Sequence, residues 1–122
     1  MKINLIMESC ELGGQPDVTA VTAIKKVNPD SVSYKFIDDF GKTSIEIFEN
    51  SAIISREGLV ESTMIFKKGI NTQFDYKSEY MDTSFDLFTK EFDVSEGKFK
   101  AVYVMYQNGN LINEINLSIT EK

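Results

Sequence analysis

The sequence of 122 residues predicts an all-β fold, an antiparallel closed or nearly closed β-barrel of about 8–10 strands. Turn signals recur at short intervals, from Gly13-Gly14 near the start of the chain to Asn108-Gly109 near its end. Between the turns lie runs rich in Ile, Val, Thr, Phe and Tyr in which apolar and polar residues alternate. This alternation is typical of antiparallel sheets with one buried face, and closure would remove the exposed edges of so many short strands.

The first half of the chain contains one ambiguous segment among clear strands. Residues 18–27 have an apolar spacing that a helix would also allow, but their three valines, two threonines and one isoleucine favour a strand. Further along, Val32, Tyr34 and Phe36 alternate with polar residues and predict an inward-facing row. The tripeptide Asp39-Phe40-Gly41 also occurs as a metal-holding motif in protein kinases, but this chain lacks the rest of that machinery. We interpret it as a hairpin turn in which glycine supplies a positive φ.

The second half of the chain alternates more clearly. In each predicted strand the apolar residues share one parity and the polar residues share the other, so one face is expected to lie inside the barrel. The predicted inward positions are Val60, Met64 and Phe66, then Ile70, Thr72, Phe74 and Tyr76, then Phe99, Ala101, Tyr103 and Met105, and finally Leu111, Ile115, Leu117 and Ile119. Asn113 shares the parity of the last set, and a buried amide needs hydrogen-bond partners from the core, from water or from a ligand.

The composition excludes several kinds of chemistry. The chain has no His, so it has no His-based acid–base catalysis, no Ser-His-Asp triad and no His metal site. A single Cys, Cys10, allows neither an internal disulfide nor a cysteine-cluster zinc site, and it is expected to be a free thiol. The net charge of −6 argues against binding to the phosphate backbone of nucleic acids. No nucleophile–base pair is recognisable, so we predict no enzyme, no catalytic residue, no metal and no cofactor.

The same sequence predicts a single domain over residues 1–122 and a cytoplasmic location. No segment approaches the roughly 20 apolar residues of a membrane-spanning helix, so no membrane association is expected. The N-terminal run is interrupted by Asn4 and ended by Glu8, which leaves it short of the apolar core of a signal peptide. A protein partner and a homo-oligomer both stay open at this level.

A barrel of this size is either filled by its own side chains or holds one small ligand. If it holds a ligand, inward aromatic and apolar residues would contact it and Asn113 would orient it. Arg56 is the single arginine of the chain. It allows two interpretations, a salt bridge that ties strands at one barrel end or an anion contact at the barrel mouth. The candidate lining residues are Tyr34, Phe36, Phe74, Tyr76, Tyr103, Met105, Asn113 and Arg56.

Several short stretches, in order along nearly the whole chain, resemble the YwiB-like bacterial family of unknown function. These stretches are Ile3-Asn4-Leu5, Ile24–Val27 leading to Val32-Ser33-Tyr34, Phe40–Thr43, Ile54–Gly58 with its Arg-x-Gly, and Gly97-Lys98-Phe99 leading to Val102-Tyr103. The resemblance implies a calycin-like, lipocalin-type barrel, and it implies no activity. The segment Tyr80–Asp86 departs from the family, which tends to carry a Thr-Pro-aromatic-Gly turn there.

Two functions from different classes are compatible with this sequence. The first is a barrel that binds a small apolar or amphipathic molecule, with Arg56 meeting a carboxylate at one end. The alternative is a protein-interaction or assembly module with a solid core and no ligand, which acts through its acidic outer face or through an unpaired strand edge. The volume of the interior distinguishes the two, because ligand sites need a void.

Overall fold

A computed structural model describes residues 1–122 and contains ten β-strands. The structure holds no helix of the length and apolar character that crossing a bilayer requires. The strands are β1 (Lys2–Glu11), β2 (Asp17–Val27), β3 (Ser31–Asp38), β4 (Gly41–Phe48), β5 (Ser51–Gly58), β6 (Val60–Lys67), β7 (Asn71–Ser78), β8 (Asp82–Ser95), β9 (Lys98–Gln107) and β10 (Asn110–Glu121).

The ten strands form one closed antiparallel barrel with simple up-and-down connectivity. Each strand pairs with the next in the chain, and β1 pairs with β10 in a register that sets Leu5 opposite Glu121. The predicted all-β closed barrel is therefore confirmed, and the ambiguous segment 18–27 lies within strand β2. Closure gives every strand a neighbour on both sides, so no whole strand is left as a free edge.

The hydrogen-bonded ladder is shortest between β6 and β7. These two strands pair only at Val60–Ser62, and side chains bridge the remaining gap. The Thr72 hydroxyl donates to the Ile65 carbonyl at 2.8 Å, and the Lys67 N–H donates to Oγ1 of Thr89 at 3.2 Å. Side-chain groups thus replace part of the backbone ladder, so the barrel wall stays connected there.

Large aromatic side chains fill much of the interior. Phe66 and Phe99 are fully buried and meet edge to face with ring centroids 6.3 Å apart. Tyr103 packs on Phe66 at 5.0 Å in the same geometry. Such contacts add to the roughly 1.5–3 kcal/mol that burial of each large apolar side chain contributes. The core cluster consists of Leu5, Ala23, Tyr34, Phe36, Ile45, Ile47, Ala52, Phe66, Phe74, Leu87, Phe99, Ala101, Tyr103 and Ile119.

Two residues predicted to face inward do not do so. Leu111 is 64% exposed because a bulge between Leu111 and Asn113 shifts the register, so that Leu111 lies opposite Tyr106. Past the bulge, Asn113 lies opposite the inward-facing Met105, as its parity predicted. Ile70 is 46% exposed because it lies in the β6–β7 turn, just before β7 begins.

Up-and-down connectivity places alternate turns at the same end of the barrel. We call the end with the β1–β2, β3–β4, β5–β6, β7–β8 and β9–β10 turns the mouth end, and the other the clasp end. At the clasp end, Lys25 on β2 reaches across β1 to Glu121 on β10, with Nζ 2.7 Å from Oε2. The Tyr34 hydroxyl on β3 donates to the same carboxylate. These three residues, which we call the clasp, join three strands across the inside of the barrel.

The clasp sets the ionisation of its members. Burial, followed by the hydrogen bond to Glu121 and the charge of that carboxylate, raises the pKa of Tyr34 above its ordinary value. Burial also acts to raise the pKa of Glu121, but hydrogen bonds from Lys25 and Tyr34 and the Lys25 charge outweigh it. The pKa of this carboxyl therefore lies below its usual range.

Candidate functional site

The interior is not completely filled, because a cavity of about 190 Å³ remains between the first five strands and β10. Six of its twelve lining residues are apolar, and the rest are mostly short polar side chains. An engineered cavity of about 150 Å³ holds a benzene molecule, so this space suits a small organic group. The lining residues are Met7, Glu8, Ser9, Asp17, Thr19, Phe36, Thr43, Ile45, Ile54, Arg56, Leu117 and Ile119.

Arg56 lies where this cavity meets the outside. Its strand register places it on β5 between Thr43 of β4 and Ser62 of β6, on the inward side of the strand, and it is exposed to solvent at this end of the barrel. Arg56 and Thr43 also line an adjoining groove of about 290 Å³ at the β3–β4 and β5–β6 turns. The guanidinium forms neither of the two salt bridges of the structure and none of its side-chain hydrogen bonds. The interpretation of Arg56 as a structural salt bridge is therefore wrong.

A second polar group faces the interior. Tyr103 is 7% exposed, packs on Phe66, and makes no hydrogen bond through its hydroxyl. Burial raises the pKa of Tyr103 to about 12, while the Arg56 charge acts in the opposite direction. The phenol is consequently a neutral hydroxyl donor at ordinary pH.

Two glycines hold the mouth beside Arg56 in a fixed shape. Gly41 lies opposite Gly58, and the Leu59 N–H donates to the Phe40 carbonyl at 3.0 Å, so the tips of two hairpins touch. Both glycines have positive φ, +128° and +141°. A Cβ on Gly41 would lie 2.1 Å from the Glu57 carbonyl oxygen, which leaves no space for a side chain. Gly41 does turn the hairpin, as the sequence predicted.

Only Phe36 and Arg56, of the eight candidate residues, line the cavity. Tyr103 faces the interior but is not among the lining residues. Tyr34 lies at the clasp end and lines a separate groove of about 440 Å³ between the β2–β3, β4–β5 and β8–β9 turns. The alternation placed Tyr34, Phe36 and Tyr103 inside the barrel, but it did not separate the two ends.

The other four candidates lie on the opposite wall. Phe74 and Tyr76 pack against Phe85, with ring centroids 5.5 and 6.3 Å apart. Met105 and Asn113 are cross-strand neighbours on β9 and β10. The Asn113 amide oxygen accepts the backbone N–H of the next residue at 2.9 Å, so this inward amide has a partner within the chain.

Sequence reasoning missed most of the cavity wall because it favoured aromatic residues. The missed residues are smaller, and they come largely from strands β1, β2 and β4, where the inward positions carry Ser, Thr, Met and Ile. Their common parity was a usable signal, because inward positions with short side chains are where a barrel interior stays open. The missed residues are Met7, Ser9, Thr19, Thr43, Ile45, Ile54, Leu117 and Ile119, with Glu8 and Asp17 at the edge of the cavity.

A broader groove of about 520 Å³ lies on the outer face of β1, β8, β9 and β10. Cys10 is a free thiol at one side of it, 3.5 and 3.4 Å from the carbonyl oxygens of Glu11 and Gly14. Nowhere do three His, Cys, Asp or Glu side chains gather as a metal site would require.

Comparisons with known proteins agree with this architecture. The family DUF1934, described as a domain of unknown function, matches residues 18–119. The crystal structure of the ywiB protein from Bacillus subtilis superposes with a TM-score of 0.72 at 20% identity, covering 99% of this chain and 92% of that one. At that identity the likeness concerns the fold alone. No curated protein sequence matches the chain. The resemblance to the YwiB-like family is confirmed.

Proposed function

Since the chain belongs to the DUF1934 family, whose function is unknown, we propose that its barrel binds a small amphipathic carboxylate in the interior cavity. The observation that carries the proposal is Arg56, a solvent-exposed cation at an inward-facing strand position, which lines the cavity entrance and has no partner within the chain. A planar guanidinium matches a carboxylate through two parallel hydrogen bonds. We assign the Tyr103 hydroxyl, which has no hydrogen-bond partner in the chain, as a further donor to the ligand.

The surroundings of Arg56 favour a ligand with a single negative charge. Asp17 lines the same cavity, and Asp38 lines the adjoining groove. These carboxylates would repel a phosphate dianion more strongly than a carboxylate monoanion. The apolar part of the ligand would enter among Ile45, Ile54 and the other aliphatic side chains, where burial of each methylene contributes about 0.8 kcal/mol.

The proposed activity is binding rather than catalysis. The hydroxyls that line the cavity, Ser9, Thr19 and Thr43, donate no hydrogen bond to a carboxylate that would act as a base. We also propose that the protein works in the cytoplasm, because its single cysteine allows none of the internal disulfides that are common in small secreted domains.

Benzoate is a suitable probe, because its ring fits the cavity and its carboxylate can reach Arg56. Titration followed by NMR should move the methyl signals of Ile45, Ile54 and Leu117 more than others. A ligand of this size should bind with a Kd of about 0.1–1 mM. Benzamide, which has the same shape and no charge, should bind at least about tenfold more weakly.

Two substitutions test the polar end of the site. Arg56→Gln should weaken benzoate binding by about 10- to 100-fold, the value of a hydrogen bond to a charged group. Tyr103→Phe should weaken it by about 3- to 10-fold, as expected for one neutral donor. Lys35→Gln removes an equal charge from the outer face of β3 and should leave the Kd unchanged. Equal losses in Arg56→Gln and Lys35→Gln, or shifts confined to the outer surface, would refute an interior carboxylate site.

A further inference from the structure

Every turn at the mouth end presents a large apolar side chain to solvent. Single exposed apolar residues are common on proteins, but a ring of them around one opening is not. The exposed fractions run from about half to nine-tenths, so these side chains are not covered by neighbouring strands. The ring consists of Leu12, Ile37, Phe40, Leu59, Tyr80, Met81, Leu111 and Ile112, and we call it the rim.

Part of the rim is held rigid by the backbone. Phe40 and Leu59 sit at the two hairpin tips joined by the Leu59 N–H to Phe40 carbonyl hydrogen bond. The close approach of Gly41 and Gly58 leaves no space for a side chain between the two tips. Their apolar side chains are therefore presented side by side in a fixed arrangement, which reduces the entropy lost on binding.

The charges of the two ends differ in sign. The five turn segments at the mouth end, residues 11–17, 37–42, 56–61, 77–82 and 107–112, contain eight carboxylates and three cations. The four turn segments at the clasp end, residues 25–31, 48–51, 67–71 and 94–98, contain three carboxylates and five lysines. The mouth end thus carries most of the net negative charge of the protein.

We propose that the rim is a docking surface for a partner protein, which it contacts through a segment that carries both apolar and basic side chains. The apolar residues supply buried area, and the surrounding carboxylates select a cationic partner. An anionic membrane surface would be repelled by the same carboxylates. A symmetric dimer would bring two acidic rims face to face, which disfavours a second copy of the chain. The rim surrounds the opening of the interior cavity, but its proposed role does not depend on a ligand there.

Isothermal titration with designed helical peptides tests the proposal. The probe is an amphipathic 14-residue peptide of leucine and lysine, and the comparison peptide has glutamate in place of lysine. The lysine peptide should bind and the glutamate peptide should not. The triple variant Phe40→Ser, Leu59→Ser and Leu111→Ser should weaken binding at least about tenfold, and it should fold, because all three side chains are largely exposed. The matched variant Val27→Ser and Ile70→Ser at the clasp end should leave binding unchanged.

A second pair of variants tests the charges. Asp38→Asn, Asp39→Asn and Glu57→Gln together should weaken binding of the lysine peptide about tenfold, as expected for three surface charge pairs. Asp30→Asn, Glu49→Gln and Glu96→Gln remove the same charge from the clasp end and should change it less than about threefold. Equal effects at both ends would overturn the proposal, since they would show general attraction between charges. Binding of the protein to phosphatidylserine vesicles would also overturn it. So would a dimer of the wild-type protein that the triple variant Phe40→Ser, Leu59→Ser and Leu111→Ser no longer forms.

Discussion

The clasp should contribute far more stability than the other salt bridge of the structure. The side chains of Lys25 and Glu121 are each 16% exposed, so removal of either partner leaves the other charge largely buried. Breaking a buried pair in this way costs about 3–5 kcal/mol, and we expect about 3 kcal/mol because some solvent reaches both groups. Lys25→Met and Glu121→Leu should therefore each lower the free energy of unfolding by about 3 kcal/mol.

A double-mutant cycle measured by urea unfolding isolates the interaction between the two side chains. The double variant should cost about 1–3 kcal/mol rather than the roughly 6 kcal/mol of two independent losses, because it leaves no unpaired charge and only the Tyr34 hydroxyl without its acceptor. The matched control is Lys90 and Glu114, a pair at 3.0 Å whose side chains are 47% and 24% exposed. The same changes in that pair should show a coupling under about 1 kcal/mol. Similar coupling energies for the two pairs would refute the special role of the clasp.

The clasp should also make the free energy of unfolding depend on pH in the acidic range. The pKa of Glu121 is depressed in the folded protein, so its contribution is fully present above the ordinary carboxyl pKa of about 4.3. That contribution is lost as the pH falls through the lower folded-state value. Urea unfolding measured between pH 7 and pH 3 should show that the free energy of unfolding falls more steeply with decreasing pH in the wild type than in Glu121→Gln. Parallel curves would contradict the assignment.

Three further predictions concern the barrel wall and the interior. Burial raises the pKa of Tyr103 to about 12, so its contribution is present below pH ~10 and lost as the pH rises through the folded value. Above pH ~10 the free energy of unfolding should therefore fall less steeply with rising pH in Tyr103→Phe than in the wild type, and equal slopes would contradict this. Gly41→Ala should cost about 3 kcal/mol or more in urea unfolding, because its Cβ would overlap a backbone carbonyl. Gly69→Ala, with open space around it, should cost only about 1 kcal/mol, and equal costs would refute the steric reason. Thr89→Val should cost about 1–3 kcal/mol because it leaves the Lys67 N–H without its acceptor, whereas Thr89→Ser keeps that acceptor and should cost less.

Alternation along the chain was sufficient to predict the fold, because it is a local property of each strand. The inward faces of β3, β7 and β9 follow from the parity of residues such as Phe36, Phe74 and Tyr103. The prediction failed at Leu111, where one extra residue in a bulge reverses the face, and no residue type nearby signals the bulge. A shift of one residue moves a side chain to the other side of the sheet, so local patterns cannot reveal such an error.

The site was harder to predict than the fold because it depends on how ten strands are staggered. The sequence singled out Arg56, but the choice between a salt bridge and an unpaired cation required the positions of all neighbouring carboxylates. The void lies where Thr43 of β4 and Ser9 of β1 face the same space, although these residues are far apart in sequence. Only the register of the closed sheet brings them together.

The two ends of the barrel differ because of the size and charge of their inward side chains. Phe66 and Phe99 are fully buried, and the clasp joins three strands at the end where the chain begins and finishes. Toward the mouth, the inward positions carry short residues such as Thr43 and a cation that no protein group neutralises. Large side chains at those positions would add buried apolar surface and therefore stability. The ligand and the partner that we propose for this end would account for both of its features, the open interior and the exposed apolar residues around the opening.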